Sequence, residues 1–416
     1  MDLQQIDNLL MNLSDEDLDS VADVVADFAF INKPTKIRKL ELMLTEDCQF
    51  ICDYCFVQGK NGERKMDRST AISAVDLLLH EAAGTESIEI TLFGGEPLLE
   101  FDLIREVVEY VEKKLPSDQS VIWALTTNGA SVDEQKLQFF QKHGLRLLLS
   151  IDGNRESQDA HRRLASGGST FDLVYPKIAL MKKHQPWLGA RVTVNPDTAG
   201  HMKENVEFLL KAGINQFIIG PNMDVMWTRD AFEVYRQQWF ELANFYVSEW
   251  EQGRGFRITS FEKDLASQAS ECSGKWGCEA GRDKICVSTT GAIFPCTKFA
   301  SQNYLAGKYK LGDLSSGITP RMRLFELQDN RVTIRGRCLS CDYADYCTGG
   351  CPADNLNKTG SIYMPSESDC AFQGIHVDLH SRVPGLSTAH LTKSPGSSKK
   401  AVKSKAVRKK SSQAKS

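Results

Sequence analysis

Between residues 37 and 221, short apolar runs rich in β-branched and aliphatic residues alternate with stretches of helical periodicity. The runs are "KLELMLT" (39–45), "SIEITLF" (87–93), "VIWALTT" (121–127), "LRLLLSI" (145–151), "ARVTVN" (190–195) and "QFIIG" (216–220). Segments 69–83, 101–115, 133–143, 172–184 and 201–212 carry the i, i+3, i+4 spacing of helices, and a longer one, 229–252, follows the sixth run. Strand–helix alternation of this kind implies parallel strands joined by right-handed crossovers. Six units predict an α/β fold, a partial (βα)6 barrel of the TIM type rather than eight closed units. In such sheets the loops after the C-terminal strand ends carry the chemistry. Here they read "TEDCQFICDYC", "GGEP", "TNG", "SIDG", "NP" and "GP". Every one is polar, Gly-rich or Cys-bearing.

Twelve cysteines are many for such a chain. The N-terminus "MDLQQIDNLLMNLSDEDLDS" is acidic and polar, unlike a secretory signal, and no run approaches the roughly 20 apolar residues of a membrane span. The expectation is a cytoplasmic protein without membrane contact, in which clustered cysteines bind metal instead of forming disulfides. Cys48, Cys52 and Cys55 form C-x3-C-x2-C, one ligand short of a closed tetrahedral site. A catalytic zinc with an open position has that ligand count. So does a [4Fe–4S] cluster with one iron lacking a protein ligand. The next loop favours the cluster, because Gly94 and Gly95 allow close backbone approach and Glu96 adds a carboxylate, as for an organic ligand.

A C-x3-C-x2-C motif after the first strand, with Tyr54 before its last cysteine and "GGEP" ending the second strand, resembles the radical S-adenosylmethionine (SAM) superfamily. The resemblance implies that SAM chelates the vacant iron through its amino and carboxylate groups. It places the Gly94–Gly95–Glu96–Pro97 turn at the methionyl amino group, Tyr54 by the adenine, and Ser150 and Asp152 of "SIDG" in a ribose-contacting turn. The stretch "DAHRRLASGGSTFD" (159–172) resembles a family segment that aligns Arg162 with the arginine paired to the SAM carboxylate, with Arg163 as its neighbouring competitor. Asn128 and Asn195 sit at matching strand ends. By family chemistry the reduced cluster cleaves SAM to methionine and a 5′-deoxyadenosyl radical, which removes a hydrogen atom from the substrate.

Farther along come Cys272, Cys278 and Cys296, with Gly291 in a C-x12-G-x4-C spacing counted from Cys278. Cys338, Cys341, Cys347 and Cys351 follow as C-x2-C-x5-C-x3-C, and Cys370 comes last. This pattern resembles the SPASM domain of radical-SAM peptide maturases, and the two resemblances span about residues 37–375. The resemblance implies two auxiliary [4Fe–4S] clusters, three clusters in all. One takes Cys272, Cys278, Cys296 and Cys351, the other Cys338, Cys341, Cys347 and Cys370. Cys286 is left without a role, read as a small buried hydrophobe.

The implied activity is modification of a ribosomally made precursor peptide or protein by a thioether, carbon–carbon or similar oxidative cross-link. Its electron would come from an external one-electron reductant of the flavodoxin or ferredoxin type. Sulfatase-type oxidation of Ser or Cys to formylglycine is the alternative. Maturases of that kind place a catalytic Asp directly after the cysteine matching Cys296, where this chain has Thr297. Asp224 and Arg229, in "NMDVMWTRD" after the sixth strand, are candidates for meeting substrate. Two readings from other classes are a non-catalytic Fe–S electron carrier and a zinc-binding interaction protein. The first has no need of "GGEP" and "SIDG"; the second predicts a colourless, zinc-containing protein.

The expected organisation is an N-terminal helical segment (1–36) with a helix opening at Ser14, the partial barrel (37–235) and a linking helix (236–260). An auxiliary-cluster domain (261–380) and a tail (381–416) follow. Residues 393–416 hold nine Lys/Arg and no acid, a disordered, solvated composition for which no nucleic-acid partner is expected.

Overall fold

The computed structural model describes residues 36–57, 64–262, 278–301, 307–319, 327, 336–344, 346–347 and 349–386. The expected helix opening at Ser14, Cys272 and the basic tail lie outside the described residues.

Six parallel strands lie side by side in chain order: β1 (Lys39–Thr45), β2 (Ser87–Gly94), β3 (Ser120–Thr127), β4 (Arg146–Ser150), β5 (Gly189–Val194) and β6 (Gln216–Pro221). The expected partial α/β barrel is therefore borne out, with each strand within two residues of the run that predicts it. The connecting helices are α1 (Arg68–Glu81), α2 (Phe101–Lys114), α3 (Glu134–His143), α4 (Arg155–His161), α5 (Thr170–Val174), α6 (Ile178–His184) and α7 (Met202–Lys211). Strand alternation divides the sheet into two faces. Ile88, Ile90 and Leu92 of β2 are fully buried, as are Ala71, Ala74, Val75 and Leu78 of α1 and Ile104, Val107, Val108 and Val111 of α2. The alternate residues Ser87, Glu89, Thr91 and Phe93 keep partial exposure on the other, concave face.

The predicted helix 172–184 is split. Pro176 falls in a 3-10 turn (Tyr175–Lys177) between α5 and α6. A proline lacks the amide hydrogen and disfavours helical geometry in the residue before it, so one continuous helix is broken there.

The parallel sheet also extends beyond six strands. β7 (Arg257–Ile258) pairs with β6, and β8 (Lys284–Val287) pairs with β1, both parallel. β9 (Ala292–Phe294) then pairs antiparallel with β8, β10 (Gly312–Asp313) with β9 and β11 (Gly317–Ile318) with β10. Among the described residues β7 and β8 do not pair, so the array stays open. The residues of the expected auxiliary domain thus continue the barrel's own sheet, with Cys286 directly beside Glu41 in register.

The sixth unit ends in α8 (Arg229–Glu251), which runs unbroken through residue 235. Tyr235, Trp239, Leu242, Ala243 and Tyr246 form its buried stripe. That stripe meets α11 (Glu367–Arg382), where Tyr235 packs edge-on to Phe372 with centroids 5.4 Å apart and Trp239 to His376 at 5.0 Å. Edge-to-face pairs add about 0.5–1.5 kcal/mol each beyond area burial. α9 (Thr297–Ser301) and α10 (Pro352–Thr359) complete the C-terminal part. Among the described residues no helix is long and apolar enough to cross a membrane.

Candidate cofactor site at the strand ends

The cysteine loop leaves the C-terminal end of β1 and is held by backbone on two sides. On one side Gly95 N–H donates to Thr45 O and Glu96 N–H to Asp47 O, both at 2.8 Å. On the other, Ile51 N–H donates to Arg163 O at 2.8 Å, Asp53 N–H to His161 O at 3.2 Å and Ala165 N–H to Gln49 O at 3.0 Å. Cys48, Cys52 and Cys55 are partly buried and in no disulfide. The Cys48 sulfur accepts from Phe50 N–H at 3.3 Å and from Asn128 Nδ2 at 3.5 Å. Donors aimed at sulfur favour the thiolate, the form that binds iron. Three cysteine sulfurs in one loop fit a [4Fe–4S] cluster by the chemistry of the donor set.

The glycines of "GGEP" have a more local task than their spacing suggests. A Cβ on Gly94, where φ is +145°, would lie 2.2 Å from Thr45 O, and one on Gly95 would lie 2.2 Å from Asp47 O. The close approach they permit is to the backbone that carries the cysteines. Glu96 is fully buried, and its carboxylate accepts from Leu98 N–H at 3.1 Å, Thr127 Oγ1 at 2.8 Å and Asn128 N–H at 2.7 Å. Burial pushes its pKa up to about 7 against these donors. The carboxylate ties the end of β2 to the end of β3.

Beyond the cysteines stands a buried polar cluster. Asp152 takes Arg162 through both oxygens, Nε at 2.8 Å and NH2 at 2.9 Å, and also accepts from Thr193 N–H at 2.8 Å and from the Tyr54 hydroxyl. The Arg162 guanidinium lies 5.3 Å from the centre of the Tyr54 ring. Burial, with Asp152 and Cys52 nearby, holds the Tyr54 hydroxyl well above its ordinary pKa. Tyr54, Asp152 and Arg162 are therefore one unit in the structure. Arg163 is exposed, 4.0 Å from Asp53. Ser150 ends β4 directly beside Arg191 of β5. Asn195 accepts from Asn222 Nδ2 at 2.7 Å, and its own Nδ2 is buried without a partner among the described residues.

Two contributors escaped sequence reasoning. His161 bridges the cysteine loop to the loop after β5, with Nδ1 2.9 Å from Asp53 and Nε2 2.9 Å from Asp197. Burial opposes its protonation, but the two carboxylates outweigh burial and raise its pKa. Nothing local marks this residue, whose partners are 108 and 36 residues away. Arg191 did leave a signal, as a charge inside the otherwise apolar strand "GARVTV".

Downstream, burial raises the thiol pKa of Cys278, pushes that of Cys296 up to about 12 and holds that of Cys351 well above the ordinary range. Cys278 contributes to the shift of Cys296, and Cys296 and Cys278 both contribute to that of Cys351. Their expected fourth companion, Cys272, lies outside the described residues. Cys338 sits in a 3-10 turn (Gly336–Ser340) with Cys341 just after it, Cys347 accepts from Gly349 N–H at 3.3 Å, and Cys370 lies in α11. Among the described residues no three His, Cys, Asp or Glu side chains are set to hold a single metal ion. Cys286 is fully buried in the apolar core.

Thr297 donates its N–H to Glu41 at 2.7 Å. Lys298 next to it pairs with Asp354 and lies 3.8 Å from Asp224. Arg229, the first residue of α8, is exposed and makes no ion pair among the described residues.

Comparison with known proteins agrees with this architecture. Residues 42–209 match the Radical SAM superfamily. A serine-type anaerobic sulfatase-maturating enzyme of Klebsiella aerogenes is 24% identical over 327 residues, covering 76% of this chain and 79% of its own. Among solved structures, native anSMEcpe with bound AdoMet and Kp18Cys peptide superposes with a TM-score of 0.69 at 19% identity, over 85% of this chain and 99% of that one. Streptococcus suis SuiB bound to precursor peptide SuiA gives 0.57 at 17% identity, over 86% and 83%.

Proposed function

Starting from a chain that carries a radical SAM domain and is a radical SAM enzyme, we propose that it modifies a ribosomally made peptide by an oxidative cross-link. The observation that carries this reading is the three-cysteine loop, fixed at the sheet mouth beside the Tyr54–Asp152–Arg162 unit. Cys48, Cys52 and Cys55 would hold the [4Fe–4S] cluster that, when bound, supplies the electron for cleaving SAM to methionine and a 5′-deoxyadenosyl radical. The chain's own residues bind and orient. Asn128 donates toward the Cys48 sulfur, while the "GGEP" turn braces the loop from beneath. The Arg162 guanidinium, held by Asp152 through Nε and NH2 with its charge balanced by that carboxylate, keeps its NH1 to donate to the methionyl carboxylate. Tyr54 supplies an aromatic wall for the adenine. The concave face excludes water from a reactive centre that water would quench.

A peptide substrate is supported by two structural neighbours, anSMEcpe bound to a peptide and SuiB bound to its precursor peptide. Formylglycine formation is the second reading, favoured by the sulfatase-maturating relatives. It ranks lower because Thr297 brings no ionisable side chain beside Cys296. Cys278, Cys296 and Cys351 with Cys272, and Cys338, Cys341 and Cys347 with Cys370, would hold two auxiliary clusters. Fully ligated clusters would suit accepting the electron that a substrate radical gives up as the oxidised product forms, and an external flavodoxin- or ferredoxin-type protein would donate the first one.

The test is anaerobic incubation of the reconstituted protein with SAM, dithionite and small peptides encoded beside its gene, followed by mass spectrometry. A peptide lighter by two hydrogens, with matching 5′-deoxyadenosine, supports the reading. Conversion of a sulfatase Ser or Cys to formylglycine in preference would replace it with the second.

A further inference from the structure

Two neighbouring strands bring a lysine and a glutamate to the auxiliary cysteines. β8 lies beside β1 in register, Lys284 against Lys39 and Cys286 against Glu41. Lys284 reaches diagonally across that pairing, its Nζ 2.9 Å from Glu41 Oε1, and both side chains are largely buried. The other carboxylate oxygen, Oε2, accepts the N–H of Thr297 at 2.7 Å, the residue directly after Cys296. Lys284 is thus one carboxylate away from the backbone that carries Cys296. The turn after Cys278 closes on the same lysine: Gly281 N–H donates to Lys284 O at 2.9 Å and Lys284 N–H to Glu279 O at 3.2 Å. The adjacent Lys39 is engaged with Glu279 and, at 3.7 Å, with Glu89. Burial opposes the charge on Lys284, but Glu41 and the sulfurs of Cys296 and Cys278 outweigh it and raise its pKa.

A buried ion pair does little for stability that two apolar side chains of similar volume would not do as well. Its place beside cysteines suggests an electrostatic task. Thiolates around a [4Fe–4S] cluster leave it net negative, and uptake of one electron adds one more negative charge. A cation fixed nearby stabilises that added charge and an anion opposes it, strongly where burial keeps water out. We propose that Lys284, aimed by Glu41, sets the reduction potential of the auxiliary cluster held by Cys278 and Cys296, its fixed charge easing one-electron uptake. Glu41 is the positioning residue: it orients the ammonium group and, through Thr297, ties the Cys296 segment to β1. Its own charge acts in the opposite direction. This assignment rests on the reading of Cys278, Cys296 and Cys351 as ligands of one auxiliary cluster.

Potentiometric titration of the anaerobically reconstituted full-length protein with dithionite, followed by electron paramagnetic resonance, tests this. Wild type, Lys284→Met, Lys284→Arg and Glu41→Gln are compared. The step whose signal changes on adding SAM is set aside as that of Cys48, Cys52 and Cys55. One of the other midpoints should fall in Lys284→Met, by a shift on the order of tenfold in the reduction equilibrium, about 59 mV for one electron. Lys284→Arg should keep the wild-type midpoint. Glu41→Gln should move the same midpoint upward, because its amide oxygen still accepts the Thr297 N–H while its charge is gone. Opposite shifts in the two neutral variants mark a charge effect, whereas a loosened site would move both the same way. Unchanged auxiliary midpoints in Lys284→Met, or shifts of one sign in both variants, overturn the proposal. Where Lys284→Met loses iron, Glu41→Gln carries the test alone, and an unmoved midpoint there overturns it. Cys296→Ala separates this failure from that of the underlying reading. Full iron retention in Cys296→Ala removes the cluster assignment and the proposal with it; loss of one cluster's iron leaves that reading standing whatever Lys284 does.

Discussion

Asp152 grips Arg162 through both carboxylate oxygens, at 2.8 and 2.9 Å, with both side chains almost wholly buried. Removing one partner leaves the other charge unpaired, which costs about 3–5 kcal/mol. Asp152→Ala should therefore lower the urea midpoint sharply, and Asp152→Asn less, because its amide oxygen still accepts one bond. A loss below about 1 kcal/mol in Asp152→Ala would show that the pair is solvated.

Gly95→Ala is expected to separate site from fold. The added Cβ would meet Asp47 O at 2.2 Å, so the backbone carrying Cys48 must move. The far-ultraviolet spectrum should stay that of wild type, while the iron bound at 48–55 and SAM cleavage are lost. Cleavage at the wild-type rate would mean the brace is dispensable.

Glu96 predicts a pH effect on stability. Its folded pKa, pushed up to about 7 by burial, lies above the 4.5 of a free glutamate. A raised folded pKa means a contribution fully present below the unfolded value and lost as pH rises through the folded one. Stability should decline between about pH 4.5 and 7, by an amount on the order of 3 kcal/mol. Denaturant midpoints at pH 5, 6, 7 and 8 measure it, and Glu96→Gln should lack this component. An identical slope in both proteins would assign the pH dependence elsewhere.

Cys286 and Cys296 give opposite expectations. Cys286 is a core side chain, so Cys286→Ala should keep all iron and cost about 1 kcal/mol for the lost volume. Cys296→Ala should lose iron in proportion to one cluster. Iron and sulfide analysis of the two variants decides it, and iron loss in Cys286→Ala would make that thiol a ligand.

The strands and the helices between them were legible because each carries its own period, down to "KLELMLT" matching β1 residue for residue. Pro176 was a readable break within 172–184 that the apolar spacing hid. β7, with two residues, and β8, inside a cysteine-rich stretch, carry no period of their own; only pairing with β6 and β1 makes them strands. The site divides the same way. Its chemical residues were marked by motif, from Cys48 to Arg162. Their partnerships were not, because contacts such as Tyr54 with Asp152 or His161 with Asp53 join residues 98 and 108 positions apart. The inward task of Glu96 belongs to the folded chain alone.

The central claim, that the three cysteines at 48–55 form the reactive site, is tested most directly by 5′-deoxyadenosine formation. Wild type and the triple variant Cys48→Ala, Cys52→Ala, Cys55→Ala are reconstituted anaerobically, given SAM and dithionite, and assayed by chromatography. The account predicts 5′-deoxyadenosine from wild type and none above the protein-free blank from the triple variant, which keeps its downstream iron. Sustained 5′-deoxyadenosine formation by the triple variant would contradict it.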